Sequence, residues 1–100
     1  MRSGNTKDNL KTMTEEERKE IEGKVYGILS EVIIPDSHVV TDDRKLAADL
    51  GCDSLDILDI TMRIEREFRF TVRHKDAGRM GDMTVRELVD MVCENIGDKP

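Results

Sequence analysis

The chain is poor in the side chains that build β-sandwiches and disulfide scaffolds. It has no Trp, one Tyr and two Phe, so any core must come from Leu, Ile, Val and Met, which suits packed helices better than facing sheets. It has two cysteines, Cys52 and Cys93. Two thiols so far apart give no disulfide framework and no metal-ligand spacing, and they read as small buried groups in a reducing compartment. No apolar run reaches the length of a membrane span, and the opening "MRSGNTKDNLKT" lacks the apolar region of a secretion signal. Excess positive charge is also missing. The net charge of −6 argues against nucleic acid, whose phosphates need clustered Lys and Arg, and favours basic protein partners. A soluble, cytoplasmic monomer with no membrane span is expected.

One hundred residues leave room for one modest core and so one domain. Residues 1–13 are polar and aperiodic and read as a disordered tail; the domain should span 14–97, with 98–100 as a short C-terminal tail. Thr14 and Glu17 form a T-x-x-E capping box. Ile21, Val25, Ile28, Leu29 and Val32 follow at helical spacing, predicting a first helix over 14–33 that ends at Pro35 and Asp36. Gly23 and Gly27 weaken it by about 1 kcal/mol each against Ala, which suggests a close-packed neighbour there. In the long connection 34–52, Val39, Val40, Leu46, Ala47 and Leu50 can drop onto a core while Asp42, Asp43 and Asp49 stay in water. "RKLAADLG" can form a helical turn ended by Gly51. Such a loop is usually functional or tied down by its own side chains.

A second helix should cover 54–68. Ile57, Ile60, Ile64 and Phe68 form one apolar stripe; Leu55, Leu58 and Met62 form another, which marks either a candidate contact surface or a helix buried on a wide face, and the pattern alone does not choose. Residues 69–83 look irregular, with a short helix near 75–79 and Gly78 and Gly81 as breakers. "FRFTV" is the sole, short strand signal. Thr84 and Glu87 form a second T-x-x-E box, and Val85, Leu88, Val89, Val92 and Ile96 repeat up to Gly97. The expected fold is all-α: three main helices, a short one and a long first loop.

One stretch asks for more than packing. "ADLGCDSLDILDI", residues 48–60, sets Ser54 at a helix start between two acids. As a physical object, Ser54 can simply accept from an orphan N–H, a task that Asp53 or Asp56 could share. A Ser54 nucleophile with His74 as base lacks a strained turn or an oxyanion arrangement, and His38 and His74 are too scattered to hold a metal.

The segment "LGCDSLDILDITMRIEREF", with the capped first helix before it and "TVRELV" after it, resembles the acyl carrier protein family over residues 14–97. The family signature is a D-S-L tripeptide following L-G-x. The resemblance implies that Ser54 bears 4′-phosphopantetheine, attached by a phosphopantetheinyl transferase, and that the arm's thiol holds an acyl group as a thioester. That group would be delivered to enzymes of fatty-acid, lipid or secondary-metabolite synthesis. It also implies that the domain is a carrier and not an enzyme, and that acidic Asp53, Asp56, Asp59 and Glu65 meet basic-surfaced enzymes. Apolar Leu55, Leu58 and Met62 would face the same partners, and Ile57, Ile64, Phe68, Val85 and Val89 would line space for the acyl chain. An aminoacyl or peptidyl carrier and an unmodified helical interaction module are the alternatives. The chain departs from the pattern at Arg63 and Arg66, which interrupt the acidic helix, and in 69–83, where Arg69, Arg73, Lys75 and Arg79 outnumber Asp76 and Asp82. These departures point to a specialised member with a partner whose surface is partly acidic.

Overall fold

The computed structural model describes residues 13–33 and 40–97. Val39, His38, Pro35, Asp36 and the two tails apart from Met13 lie outside the described residues. Four helices follow in order: α1 (Glu15–Val32), α2 (Ser54–Phe68), α3 (His74–Arg79) and, after a 3-10 turn over Met80–Asp82, α4 (Val85–Gly97). No strand forms among the described residues; "FRFTV" ends α2 and continues as an irregular link. The architecture is the expected all-α bundle.

The local signals explain the helix starts. Thr14 Oγ1 accepts from Glu17 N–H at 3.0 Å and the Glu17 carboxylate accepts from Thr14 N–H at 2.9 Å. Thr84 and Glu87 repeat this geometry at 3.1 and 3.0 Å. Each box satisfies two of the donors that a helix start leaves without intrahelical partners. At its far end α2 stops on Arg69, a non-glycine residue in the left-handed region (φ 61°). There Val72 N–H donates to the Glu65 carboxylate at 2.9 Å, holding the chain as it turns away.

Helix α1 packs against both α2 and α4. Val25 and Leu29 of α1, Ile60 and Ile64 of α2, and Val85, Leu88 and Val92 of α4 are buried, with Met80 and Met83 closing one end. Burying each such side chain contributes about 1.5–3 kcal/mol. Ion pairs ring this core: Arg18 to Asp90 at 2.6 Å joins α1 to α4, while Lys24 to Glu67 at 3.4 Å and Arg63 to Glu31 at 2.6 Å join α1 to α2. Gly23 and Gly27 are exposed, and a β-carbon on either would meet nothing within 4 Å. The expected close neighbour is not there. Met13, assigned to the tail on sequence, packs against the core.

The loop before α2 is stitched down by backbone hydrogen bonds. Leu46 N–H donates to Met83 C=O at 3.0 Å and Ala47 N–H to Gly81 C=O at 2.9 Å. In the opposite sense, Val85 and Arg86 N–H donate to the carbonyls of Arg44 and Asp42, both at 3.0 Å. The loop thus supplies acceptors for the first two N–H groups of α4, and Thr84 supplies the third. Leu46 and Leu50 are buried, whereas Ala47 is exposed. Asp42 is half-exposed and also partnered: it accepts from the Tyr26 hydroxyl and faces Arg86, which also pairs with Asp43 at 3.0 Å.

Burial, with help from the hydrogen bond to Asp42, pushes the Tyr26 phenol from 10 up to about 12. The folded state therefore holds this proton more tightly than the unfolded chain. The stability it contributes is whole below pH 10 and is lost as pH rises toward 12. Tyr26 is the one tyrosine and the chain has no Trp, so ultraviolet titration reads it without interference. The expected midpoint is near 12, moving part of the way back in Asp42→Asn; a midpoint at 10 in the folded protein would show that the loop is not pinned there.

Candidate functional site

Gly51 takes a positive φ of 77°, a conformation that a β-carbon disfavours, and turns the chain out of the tethered loop. Gly51 N–H donates to Ala47 C=O at 3.1 Å and Cys52 N–H to Leu46 C=O at 2.9 Å. This delivers residues 52–54 to the head of α2.

The cap of α2 is Asp53, not Ser54. Asp53 Oδ1 accepts from Asp56 N–H at 2.9 Å, and Asp56 Oδ2 accepts from Asp53 N–H at 3.2 Å. The two acids that would repel an anion at this helix start are thus the two halves of its capping box. Ser54 is the first helical residue. It is exposed, and its hydroxyl makes no hydrogen bond among the described residues. A serine that the helix does not need is left facing solvent.

Beside it lies an open groove of about 610 Å³. Helix α2 supplies Ser54, Ile57, Leu58 and Thr61 to one wall; Ala77, Gly78 and Gly81 form the other, and Ala47, Cys52 and Asp53 complete it. Thr61 turns its hydroxyl inward, donating to Ile57 C=O at 2.8 Å with the Met80 sulfur 3.4 Å away, which leaves the wall largely apolar. The small residues of α3 and the 3-10 turn keep the groove open. Gly78, read as a breaker, sits inside α3. Cys52 is buried, and that burial, followed by the carboxylates of Asp56 and Asp53, raises its thiol from 9.0 to about 11. It stays protonated near neutral pH and is a poor nucleophile.

Of the residues expected to line an acyl space, Ile57 lines this groove. Ile64, Val85 and Val89 are buried in the core. Phe68 borders a separate hollow of about 380 Å³ with Met13, Ile21 and Ile96. Ala47, Thr61, Ala77 and Gly81 carry no sequence signal for this groove, because three separate segments fold together to make it. His74 opens α3 and is not among the groove residues.

The expected docking residues divide in two. Leu55, Leu58 and Met62 are 74, 54 and 48% exposed, a run of large apolar groups on one outward face of α2. Asp53 and Asp56 stand beside Ser54 and make no ion pair among the described residues. Asp59, however, pairs with Arg63 at 2.9 Å, and Arg63 also holds Glu31. The Glu65 carboxylate is engaged with Val72 N–H. The charge on this face therefore concentrates at the Ser54 end.

The fold and site together describe a small helical carrier domain. A family model described as a phosphopantetheine attachment site matches residues 24–92. The acyl carrier protein of Thermotoga maritima is 39% identical over 80 residues, covering 80% of this chain and 96% of that protein. That of Cyanidium caldarium is 35% identical over 82% of this chain and 93% of its own length, and that of Chlorobium phaeovibrioides is 34% identical over 75% and 94%. No solved structure matches the chain significantly. The chain belongs to the acyl carrier protein family and carries the phosphopantetheine attachment domain of that family.

The division of labour at the head of α2 has a measurable consequence. Asp53→Ala should cost about 1 kcal/mol, as the loss of an N-cap does, whereas Ser54→Ala should change stability by less than about 0.5 kcal/mol. Urea denaturation of both variants decides it; equal losses would mean that Ser54 shares the cap.

Proposed function

We propose that Ser54 is the attachment residue for 4′-phosphopantetheine and that this domain carries acyl groups between enzymes. The observation that supports it most strongly is the uncommitted Ser54 hydroxyl at the first position of a helix whose cap is supplied by Asp53 and Asp56. The N–H groups of Ser54 and Leu55 are not used by that box, and the positive end of the helix dipole favours the phosphodiester that attachment creates. In loading, the Ser54 oxygen gives up its proton and bonds to phosphorus, and the nucleotide half of coenzyme A leaves. A phosphopantetheinyl transferase catalyses that step.

Once attached, the group supplies a terminal thiol on a flexible arm, whose thioester keeps an acyl carbonyl activated. The protein's own residues tether and present it, raising its effective concentration at a docked enzyme. Leu55, Leu58 and Met62 give apolar contact, while Asp53 and Asp56 steer basic groups toward the serine. The groove walled by Ile57, Thr61 and Ala77 is the nearest apolar space to Ser54 and suits the first part of an acyl chain. The domain acts as a cytoplasmic monomer and not as an enzyme. Its two buried, unpaired thiols fit a reducing compartment, and no helix among the described residues is long and apolar enough to cross a membrane.

Incubating the purified protein with coenzyme A and a broad-specificity transferase should raise its intact mass by one phosphopantetheinyl group. Ser54→Ala should remain folded and unchanged in mass. A wild-type chain left unmodified, where a reference carrier reacts fully, would contradict the assignment.

A further inference from the structure

The outward face of α2 does not end at Met62. Leu55, Leu58, Met62 and Arg66 follow one another at steps of three or four, so they lie along one side of the helix. Arg66 is exposed and makes no ion pair among the described residues. With Met62, Glu65, Arg69, Phe70 and Thr71 it lines a groove of about 480 Å³. Glu65 is held by Val72 N–H, so Arg66 is the cation that this face presents beyond Met62 with no carboxylate paired to it among the described residues. At the opposite end the face is negative, through Asp53 and Asp56. Between the two ends, Asp59 is matched by Arg63.

We infer that the docking face of this carrier is two-signed: acidic at Ser54, apolar at Leu55, Leu58 and Met62, and basic at Arg66. The partner that fits is a protein that presents basic groups near the serine and an Asp or Glu carboxylate against Arg66, beside an apolar contact on Met62. Charge complementarity at Arg66 supports this occupant, and Met62 belongs to both the apolar stripe and the groove beside Arg66, which makes the two surfaces continuous. A partner with a uniformly basic face meets repulsion at Arg66, and like charges brought together discriminate between partners. The inference rests on the Ser54 carrier reading, because Ser54 fixes which end of the face a partner must approach.

A broad-specificity phosphopantetheinyl transferase, bearing single Lys or Arg to Asp changes across its carrier-binding surface, is the probe. At least one such change should raise kcat/KM for the wild-type chain by about threefold, the size expected of an exposed ion pair. The gain should fall in KM, fade at high salt and persist with Arg66→Lys. It should vanish with Arg66→Glu, whose fold is verified by circular dichroism. Efficient modification with no gain from any change, or the same gain for wild type and Arg66→Glu, overturns the two-signed face and leaves the carrier reading intact. Absence of modification in every combination overturns the carrier reading and this inference with it.

Discussion

Two carboxylates at the head of α2 carry the arrangement. Asp53 and Asp56 accept each other's backbone N–H groups, and this reciprocal pair starts the helix without help from the Ser54 hydroxyl. An N-cap contributes about 1 kcal/mol, small beside the buried core, but its consequence is chemical more than energetic. A Ser54 that capped the helix would have its oxygen turned toward the backbone, and attachment there would cost the cap. Because Asp53 caps, Ser54 can change its substituent and the helix start is untouched. The same two acids stand beside the serine, so one pair of side chains builds the helix start and, in the proposed function, steers basic partners toward it.

What holds this helix head in place is the long loop that precedes it. A loop of this length needs partners for its backbone groups, and it finds them on the segment from Gly81 to Arg86. The exchange works in both directions: loop N–H groups donate to Gly81 and Met83, while loop carbonyls receive the first two N–H groups of α4. Leu46 and Leu50 then fix the loop to the core, and Tyr26 fixes it to α1 through Asp42. The site is therefore mounted on α1 and α4 as well as on α2. The groove beside Ser54 exists because the loop, α2 and the α3 region meet there.

Much of this was legible in the residues. Both T-x-x-E boxes form as read, since a capping box is a local device whose partners lie three residues apart. Helix α2 covers the residues expected, and the stripe of Leu55, Leu58 and Met62 is exposed because a helix with two apolar faces can bury only one against α1. The cap was ambiguous for a physical reason: Asp and Ser are nearly equal N-caps, so spacing cannot choose between neighbours. The glycines of α1 misled because a helix tolerates Gly on its solvent face at a modest cost, with no packing partner required. The groove was least legible. The wall facing α2 is made of small residues from distant segments, whereas the large apolar residues at helical spacing, Ile64, Val85 and Val89, went to the core where their volume is needed.

The central claim is that the Ser54 oxygen, left out of the cap, is a covalent anchor. Fragmentation mass spectrometry of the protein purified from the cell that makes it tests this most directly. The account predicts a single phosphopantetheine on the peptide that contains Cys52 to Leu55, with the fragment series placing it on Ser54. A bare Ser54 in every preparation, or the group found on another side chain, would contradict it.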